Sequence, residues 1–119
     1  MAMTTEPVKG IGKHKNGKVT IDGTLTIYDA IAGKQSLLDA LSAVNQLEID
    51  LSGVTEIDTA GVQLLVMLKR TAASAEKNVQ LVAHSPASLD VLDQLNLVGY
   101  FGDPVVITSR RANRERTPS

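Results

Sequence analysis

The chain has 119 residues, of which 43% are hydrophobic and 21% are charged, and its formal net charge is −1. This composition is ordinary for one globular domain, and the near-zero net charge gives no general attraction to nucleic acid. Cysteine is absent, which excludes disulfides, thiol catalysis and thiolate metal sites and is compatible with a cytoplasmic protein. The longest dense apolar stretch, residues 62–68, is too short for a membrane helix, which needs about 20 residues.

The first third of the chain predicts a flexible start, a hairpin and a helix. Residues 1–7 are expected to be flexible, and residues 8–14 are weakly strand-like. The Asn16-Gly17 pair favours a tight turn, and the alternation that follows over residues 18–22 predicts a returning strand. Over residues 27–44 the apolar period becomes helical. The buried face predicted for this helix consists of Ile27, Ile31, Leu37, Leu38, Leu41 and Val44.

The middle of the chain predicts a strand, a loop, a helix and a second strand. Residues 47–51 are expected to form a short strand, and residues 52–58 a loop of small and polar residues. A helix is predicted over residues 60–75. Residues 79–83 are almost continuously apolar, which predicts a strand at the centre of a covered sheet.

The last third predicts one more helix and an end without regular structure. Ser85 can cap free amides and Pro86 has no amide to lose, so this pair predicts a helix start, with Gly99 at its end. Residues 105–107 are expected to form a last short strand, and residues 108–119 a disordered tail. The order of elements predicts an α/β fold: a mixed sheet of four to five strands, with parallel central strands covered by helices.

The sequence shows no constellation of catalytic or metal-binding residues. His14 and His84 each lack a second ligand at metal spacing. There is no glycine-rich phosphate loop with its lysine and no Gly-x-Ser-x-Gly nucleophile elbow. We therefore expect a protein that is not an enzyme and that carries neither metal nor cofactor.

The segment Asp58-Thr59-Ala60-Gly61 immediately precedes an apolar helical run and has two interpretations. In the first, Asp58 and Thr59 only cap the free amides of the helix. In the second, Thr59 is a switch, because phosphorylation would add about −1.5 to −2 charges that the helix dipole tolerates and a protein partner does not. Gly61 either allows a neighbouring backbone to approach or interrupts the helix.

The helix after Gly61 has more apolar residues than one buried stripe requires. Val62, Val66 and Met67 fall outside the stripe formed by Leu64, Leu65, Leu68, Ala72 and Ala75. Such a surplus indicates either burial from two sides or an exposed patch that binds a partner, and such a patch would also permit a homodimer.

Four segments, in this order and spacing, resemble the STAS domain, and within it the bacterial anti-sigma-factor antagonists. They are residues 47–51, 57–61, 83–86 and 95–101. The resemblance covers residues 16–106, most of the chain. It implies a STAS domain over residues 8–107, between a flexible start and a disordered tail.

The resemblance implies a non-enzymatic protein of bacterial signal transduction and transcription control. Members of the family bind an anti-sigma factor that is a serine/threonine kinase and phosphorylates them. The family's phosphorylated residue falls on Thr59. Its partner-binding surface falls on Asp58, Thr59, Ala60, Gly61, Val62 and Val66.

Two other functions within the same family stay open. Gly23-Thr24-Leu25-Thr26 is similar to the family's Gly-Glu-Leu-Asp segment, but threonines replace both acidic residues. Asp58-Thr59-Ala60-Gly61 also resembles the small STAS subunits that dock on the ATPase of a phospholipid-trafficking ABC transporter. A third alternative is a nucleotide-binding STAS module.

Overall fold

The computed structural model describes residues 1–97 and 99–101, in which four strands form one sheet in the order β1-β2-β3-β4. The elements in chain order are β1 (Ala2–Thr5), β2 (Asn16–Leu25), α1 (Ile27–Ser42), β3 (Gln46–Ile57), α2 (Thr59–Ser74), β4 (Asn78–His84) and α3 (Pro86–Gln94). Strands β2, β3 and β4 are parallel, and β1 is antiparallel to β2. The mixed α/β sheet with parallel central strands is therefore confirmed, while the strand predicted at residues 105–107 and the tail at 108–119 lie outside the described residues.

Alternation along the strands gives the sheet one apolar and one polar face. In a strand, successive side chains point to opposite faces. Glu48 and Asp50 of β3 lie half-buried on the polar face, where the Asp50 carboxylate is 3.8 Å from the Lys18 ammonium. The apolar face packs into the core under α1 and α2, and its buried side chains include Val19, Ile21, Leu47, Ile49, Leu51, Val79 and Leu81.

The start of the chain differs from the prediction of a flexible segment over residues 1–7. Strand β1 pairs with β2 from Ala2 opposite Asp22 to Thr5 opposite Val19. The connecting turn contains Gly10 and Gly12, both with positive φ, whereas Asn16 and Gly17 already belong to β2. The prediction failed because so short a strand, with few apolar residues, is defined by its distant partner and has no signal of its own.

Strand β3 is longer than predicted and replaces the loop expected at residues 52–58. Its register against β4 shifts between Ile49 and Asp50, and its register against β2 shifts twice. Such bulges change which residues face the core, so the strand continues with Leu51, Val54 and Ile57 buried. The sequence therefore loses its alternation here although the strand continues as far as Ile57.

Helix α1 ends at Ser42, two residues before the predicted end. Its predicted buried face is confirmed at Leu37, Leu41 and Val44, with Leu38 partly buried against the core, and is wrong at Ile27 and Ile31. Ile27 is 59% exposed and Ile31 is 85% exposed. The residues buried along the helix are Gly33, Leu37 and Leu41. A Cβ on Gly33 would lie 3.6 Å from a methyl carbon of Leu64, so α1 and α2 pack closely at this glycine. The contact between α1 and α2 therefore runs through Gly33, and Ile27 and Ile31 lie outside this contact.

Helix α2 is buried from two sides, which decides between the two explanations of its apolar surplus. Val62 is 1% exposed and Val66 is 9% exposed, alongside the buried Leu64, Leu65 and Leu68. The helix packs against both α1 and β4. Ala75, predicted in the core stripe, is instead the exposed residue after the last turn.

Strand β4 and helix α3 follow the predicted positions with two differences. Strand β4 lies at one end of the sheet within residues 1–97 and 99–101, where the sequence predicted its centre. The Ser85 hydroxyl accepts a hydrogen bond from the Ser88 amide at 3.0 Å and Pro86 follows, which confirms the predicted helix start. The helix ends at Gln94, before Gly99, and Asn96 supplies the left-handed residue with φ 58°.

Candidate functional site

The candidate site lies where α1 and α2 begin, at the carboxyl ends of β2 and β3. Because β2 and β3 are parallel neighbours, the connections that leave them emerge at the same edge of the sheet. Thr26 is the residue before α1, and Asp58 is the residue before α2. The two helix starts therefore lie side by side, each with free amides that need acceptors.

One carboxylate serves both helix starts. The Oδ1 atom of Asp58 accepts a hydrogen bond from the Gly61 amide at 3.0 Å, which caps α2. Its Oδ2 atom accepts a hydrogen bond from the Ile27 amide at 3.0 Å, in the first residue of α1. The hydrogen bonds from the Gly61 and Ile27 amides favour the ionised form and lower the pKa of Asp58. Asp58 thus joins two segments that are 31 residues apart in the chain.

Thr59 is the first residue of α2 and is not its cap. Its side chain is exposed, and its hydroxyl makes no hydrogen bond to any residue in the described part of the chain. Asp58 alone performs the capping that the sequence assigned to Asp58 and Thr59 together. The Thr59 hydroxyl is therefore open to solvent beside the half-buried Ala60.

Gly61 lies inside the helix at a point of close approach. A Cβ at this position would overlap the backbone carbonyl oxygen of Leu25 and would lie 3.0 Å from Cγ1 of Ile57. The Leu25 carbonyl also accepts a hydrogen bond from the Asp58 amide at 3.4 Å. Of the two roles proposed for this glycine, the structure therefore shows the close approach of a neighbouring backbone.

Three members of the partner-binding set predicted from the sequence are buried: Gly61, Val62 and Val66. The side chains of Val62 and Val66 lie in the core, at 1% and 9% exposure. The period of α2 could not reveal this, because burial from two sides and an exposed patch give the same pattern. Asp58, Thr59 and Ala60 stay accessible, so the surface that a partner could reach is smaller on α2 than predicted.

Asp29 is a site residue that the sequence analysis missed. Its Oδ2 atom accepts hydrogen bonds from the Thr24 hydroxyl at 2.8 Å, the Thr26 amide at 3.0 Å and the Thr26 hydroxyl at 3.1 Å. The bond from the Thr26 amide, followed by that from the Thr24 hydroxyl, lowers the pKa of Asp29 to about 2. A local signal was available, because an acidic residue three positions after a threonine marks a helix start.

An acidic cavity of about 340 Å³ lies in front of the two helix starts. Its lining contains three carboxylates together with hydroxyl groups, from Thr24, Thr26, Tyr28, Asp29, Glu56 and Asp58. The two threonines that replace the acidic residues of the Gly-Glu-Leu-Asp pattern thus hold the carboxylate of Asp29 at this place. Within residues 1–97 and 99–101, no group of three or more His, Cys, Asp or Glu side chains could hold a metal ion.

We expect the Asp29→Asn variant to be less stable than the wild type at pH 7, and the difference to shrink in acid. The pKa of Asp29 is lower in the folded protein than its ordinary value of 3.8, so its ionised carboxylate stabilises the fold above pH 3.8. This stability is lost as the pH falls toward about 2. Urea midpoints of both proteins at pH 7, 4, 3 and 2 measure this. The control variant Glu56→Gln removes a carboxylate of the same cavity that makes no hydrogen bond to the described part of the chain, so its stability at pH 7 should lie closer to that of the wild type. A constant difference for Asp29→Asn across the series would contradict the assignment.

A family model described as "Mlab, STAS domain" matches residues 12–107 of the chain. No curated protein matches this chain. No helix within the described residues has the length and apolar character needed to cross a membrane.

Three solved structures have a similar fold. An anti-sigma factor antagonist from Mycobacterium paratuberculosis is 21% identical, with a TM-score of 0.70 over 98% of this chain and 96% of that one. The phosphorylated form of the Bacillus cell fate determinant SpoIIAA is 17% identical, with a TM-score of 0.59 over 91% of this chain and 96% of that one. A variant of RsbS from Moorella thermoacetica is 21% identical, with a TM-score of 0.63 over 91% of this chain and 92% of that one.

Because the three solved proteins are only 17% to 21% identical to this chain, they show that the fold is similar and no more. Family membership is shown by the match to the family model. The match spans all the elements from β2 to α3, including both helix starts. The chain therefore belongs to the STAS domain family.

Proposed function

We propose that this protein is a non-enzymatic protein-binding switch of the anti-sigma-factor-antagonist type, regulated by phosphorylation of Thr59. One observation carries the proposal: Asp58 caps α2, so the exposed Thr59 hydroxyl is committed to no other group among the described residues. A kinase can therefore modify Thr59 without breaking a hydrogen bond of the fold. The similar fold of two solved proteins, an anti-sigma factor antagonist and a phosphorylated SpoIIAA, supports this function.

A phosphate on Thr59 changes the surface more than the fold. It adds about −1.5 to −2 charges at the amino end of a helix, where the dipole offsets part of the cost. The same charge lies next to Asp58 and close to the acidic cavity that Asp58 shares with Glu56 and Asp29. A partner that covers Thr59 with apolar side chains would have to desolvate the phosphate, which is expensive. The expected result is release of the partner from a protein that stays folded.

The proposed contact surface is centred on Asp58, Thr59 and Ala60, and the proposed partner is an anti-sigma factor with serine/threonine kinase activity. Gly61, Val62 and Val66 act indirectly in this proposal, because they are buried and hold α2 in place. The protein would act in the cytoplasm of a bacterium and would regulate transcription through its partner.

We expect the Thr59→Glu variant to fold and to bind its partner at least tenfold more weakly. A carboxylate at the helix start is compatible with the dipole but opposes a partner that covers this position. Ser36→Glu is the matched control, because Ser36 is an exposed hydroxyl in α1 outside the candidate site. Both variants and the wild type serve as baits in lysate of the source cells, and captured proteins and phosphorylated residues are identified by mass spectrometry.

A kinase-type protein that binds the wild type and Ser36→Glu but not Thr59→Glu, with phosphate found on native Thr59, would support the switch. Equal capture by Thr59→Glu would contradict it.

Thr59→Ala should change the free energy of unfolding by less than about 0.5 kcal/mol, because the residue is exposed and is not the cap.

A second candidate function is docking on the ATPase of a phospholipid-trafficking ABC transporter. The description of the matching family, "Mlab, STAS domain", and the resemblance of Asp58-Thr59-Ala60-Gly61 to such subunits favour it. In this case the same capture experiment returns an ATPase, and native Thr59 carries no phosphate. A nucleotide titration tests the remaining alternative, a nucleotide-binding module.

A further inference from the structure

The first turns of α1 expose an apolar row that the core does not use. Ile27 is 59% exposed, Tyr28 is 92% exposed and Ile31 is 85% exposed. Residues three and four apart are neighbours on a helix surface, so these side chains form one patch. Single exposed apolar residues are ordinary, but a contiguous group of large ones indicates a contact surface.

This row borders a shallow groove between α1 and α2, which we call the α1–α2 groove. It measures about 240 Å³ and is lined mainly by apolar side chains, from Ala30, Ile31, Lys34, Ala60, Gln63, Leu64 and Met67. The lining residues of each helix recur at spacings of three and four, so they form one stripe on each helix. Along α2 the lining runs from Ala60 to Met67, a seven-residue step of about 10 Å, or about two helical turns. Along α1 it runs from Ala30 to Lys34, about one turn.

The size and shape of the groove favour a protein segment over a small molecule. Small-molecule sites usually enclose roughly 300 to 1,000 Å³ and place several polar groups around the ligand. The α1–α2 groove is smaller, and its polar side chains are Lys34 and Gln63. An amphipathic helix that binds in a groove needs apolar anchors about one and two turns apart, which fits this length.

The charges at the two ends of the groove differ in sign. At its beginning lie the carboxylates of Asp29, Glu56 and Asp58, which line the acidic cavity beside Tyr28. Lys34 lies at its other end, two turns along α1 from Ile27. A helix that fits both ends carries a basic side chain at the acidic end and an acidic side chain near Lys34.

We propose that the α1–α2 groove binds an amphipathic helix of the protein partner, with apolar anchors at positions i, i+4 and i+7 and a basic residue at the end that meets Asp29, Glu56 and Asp58. The inference rests on the proposed function for the existence of a protein partner, and it extends the contact surface from Thr59 to α1. Ala60 lines the groove directly after Thr59, so a phosphate on Thr59 would lie at the edge of the bound helix. The apolar anchors of the bound helix would have to desolvate this phosphate, which would cause phosphorylation to release the partner.

The test replaces Tyr28 with the photo-reactive residue p-benzoylphenylalanine. The control carries the same residue at Ile11, which is 84% exposed in the β1–β2 hairpin, away from the groove. After irradiation in lysate of the source cells, the cross-linked partner segment is sequenced and synthesised as a peptide. Titration then measures its binding to the wild type, Ile31→Ser and Ile11→Ser, all of which should fold because both isoleucines are exposed.

The expected result is a helix-forming segment with the stated anchors and a basic end, cross-linked from position 28 and not from position 11. Its peptide should bind Ile31→Ser at least tenfold more weakly than the wild type, and Ile11→Ser equally well. The inference is overturned by a segment without this pattern, by equal cross-linking from position 11, by cross-links only between two copies of this chain, or by no cross-link.

Failure of the inference differs from failure of the proposed function. If Thr59→Glu loses the partner while Ile31→Ser retains it, the groove is not the contact and the switch stands. If Ile31→Ser loses the peptide while Thr59→Glu retains it, the groove is the contact and the proposed switch is wrong.

Discussion

The Gly61→Ala variant should lose about 2 kcal/mol of its free energy of unfolding, within the range of roughly 1 to 3 kcal/mol for overpacked sites. Helix propensity alone predicts that this variant is more stable than the wild type, because alanine is favoured over glycine by about 1 kcal/mol inside a helix. The added Cβ would overlap the Leu25 backbone carbonyl oxygen, which belongs to the end of β2 and cannot rotate away. We therefore expect the steric cost to exceed the gain in propensity.

Gly99→Ala is the matched control for this substitution. A Cβ at Gly99 would meet no described atom within 4 Å, so its stability should stay close to that of the wild type. Urea unfolding of the three proteins, with the midpoint and the slope fitted separately, gives the free energies. A Gly61→Ala protein as stable as the wild type would mean that Leu25 and Gly61 are not in close contact.

Leu65→Ala should show the largest loss of stability, about 2 to 5 kcal/mol. Leu65 is fully buried in α2, at 0% exposure, between the sheet and α1. Removing its side chain loses the transfer free energy of three carbons and leaves a cavity that a helix packed on two sides cannot close.

Leu95→Ala removes the same atoms from a side chain that is 46% exposed, so it should cost less than about 1 kcal/mol. Thermal or urea unfolding of both variants measures the difference. Similar losses in the two variants would contradict the burial of α2 from two sides, and with it the burial of Val62 and Val66.

The secondary structure was largely predictable because its signals are local. The period of residues 27–44, the Ser85-Pro86 pair and the Asp58 cap each depend on a few neighbouring residues, and the structure confirms them. Asp29 belongs to the same class, since Thr26 and an acidic residue three positions later mark a helix start. It was missed although the signal was present.

Features defined by distant partners were not predictable in the same way. Ile27 and Ile31 fit the helical period as well as Leu37 and Leu41 do, but Gly33 places the crossing with α2 elsewhere. The bulges of β3 and the pairing of β1 depend on neighbouring strands far away in the chain.

The candidate site shows the same division. The sequence identified Asp58 and Thr59 and the position of the helix start. It did not separate their roles, because both residue types cap helices. Only the structure shows that Asp58 also accepts a hydrogen bond from the Ile27 amide. Val62 and Val66 were open to two explanations, and burial decided between them.

The shared acceptor at Asp58 has a consequence for how the two helices open. The amides of Ile27 and Gly61 bond to the same carboxylate, so a fluctuation that moves this side chain frees both at once. Local opening of a native protein occurs in cooperative units, each with its own free energy. The amides of Ile27 and Gly61 therefore share one opening event, and their protons should exchange with solvent together.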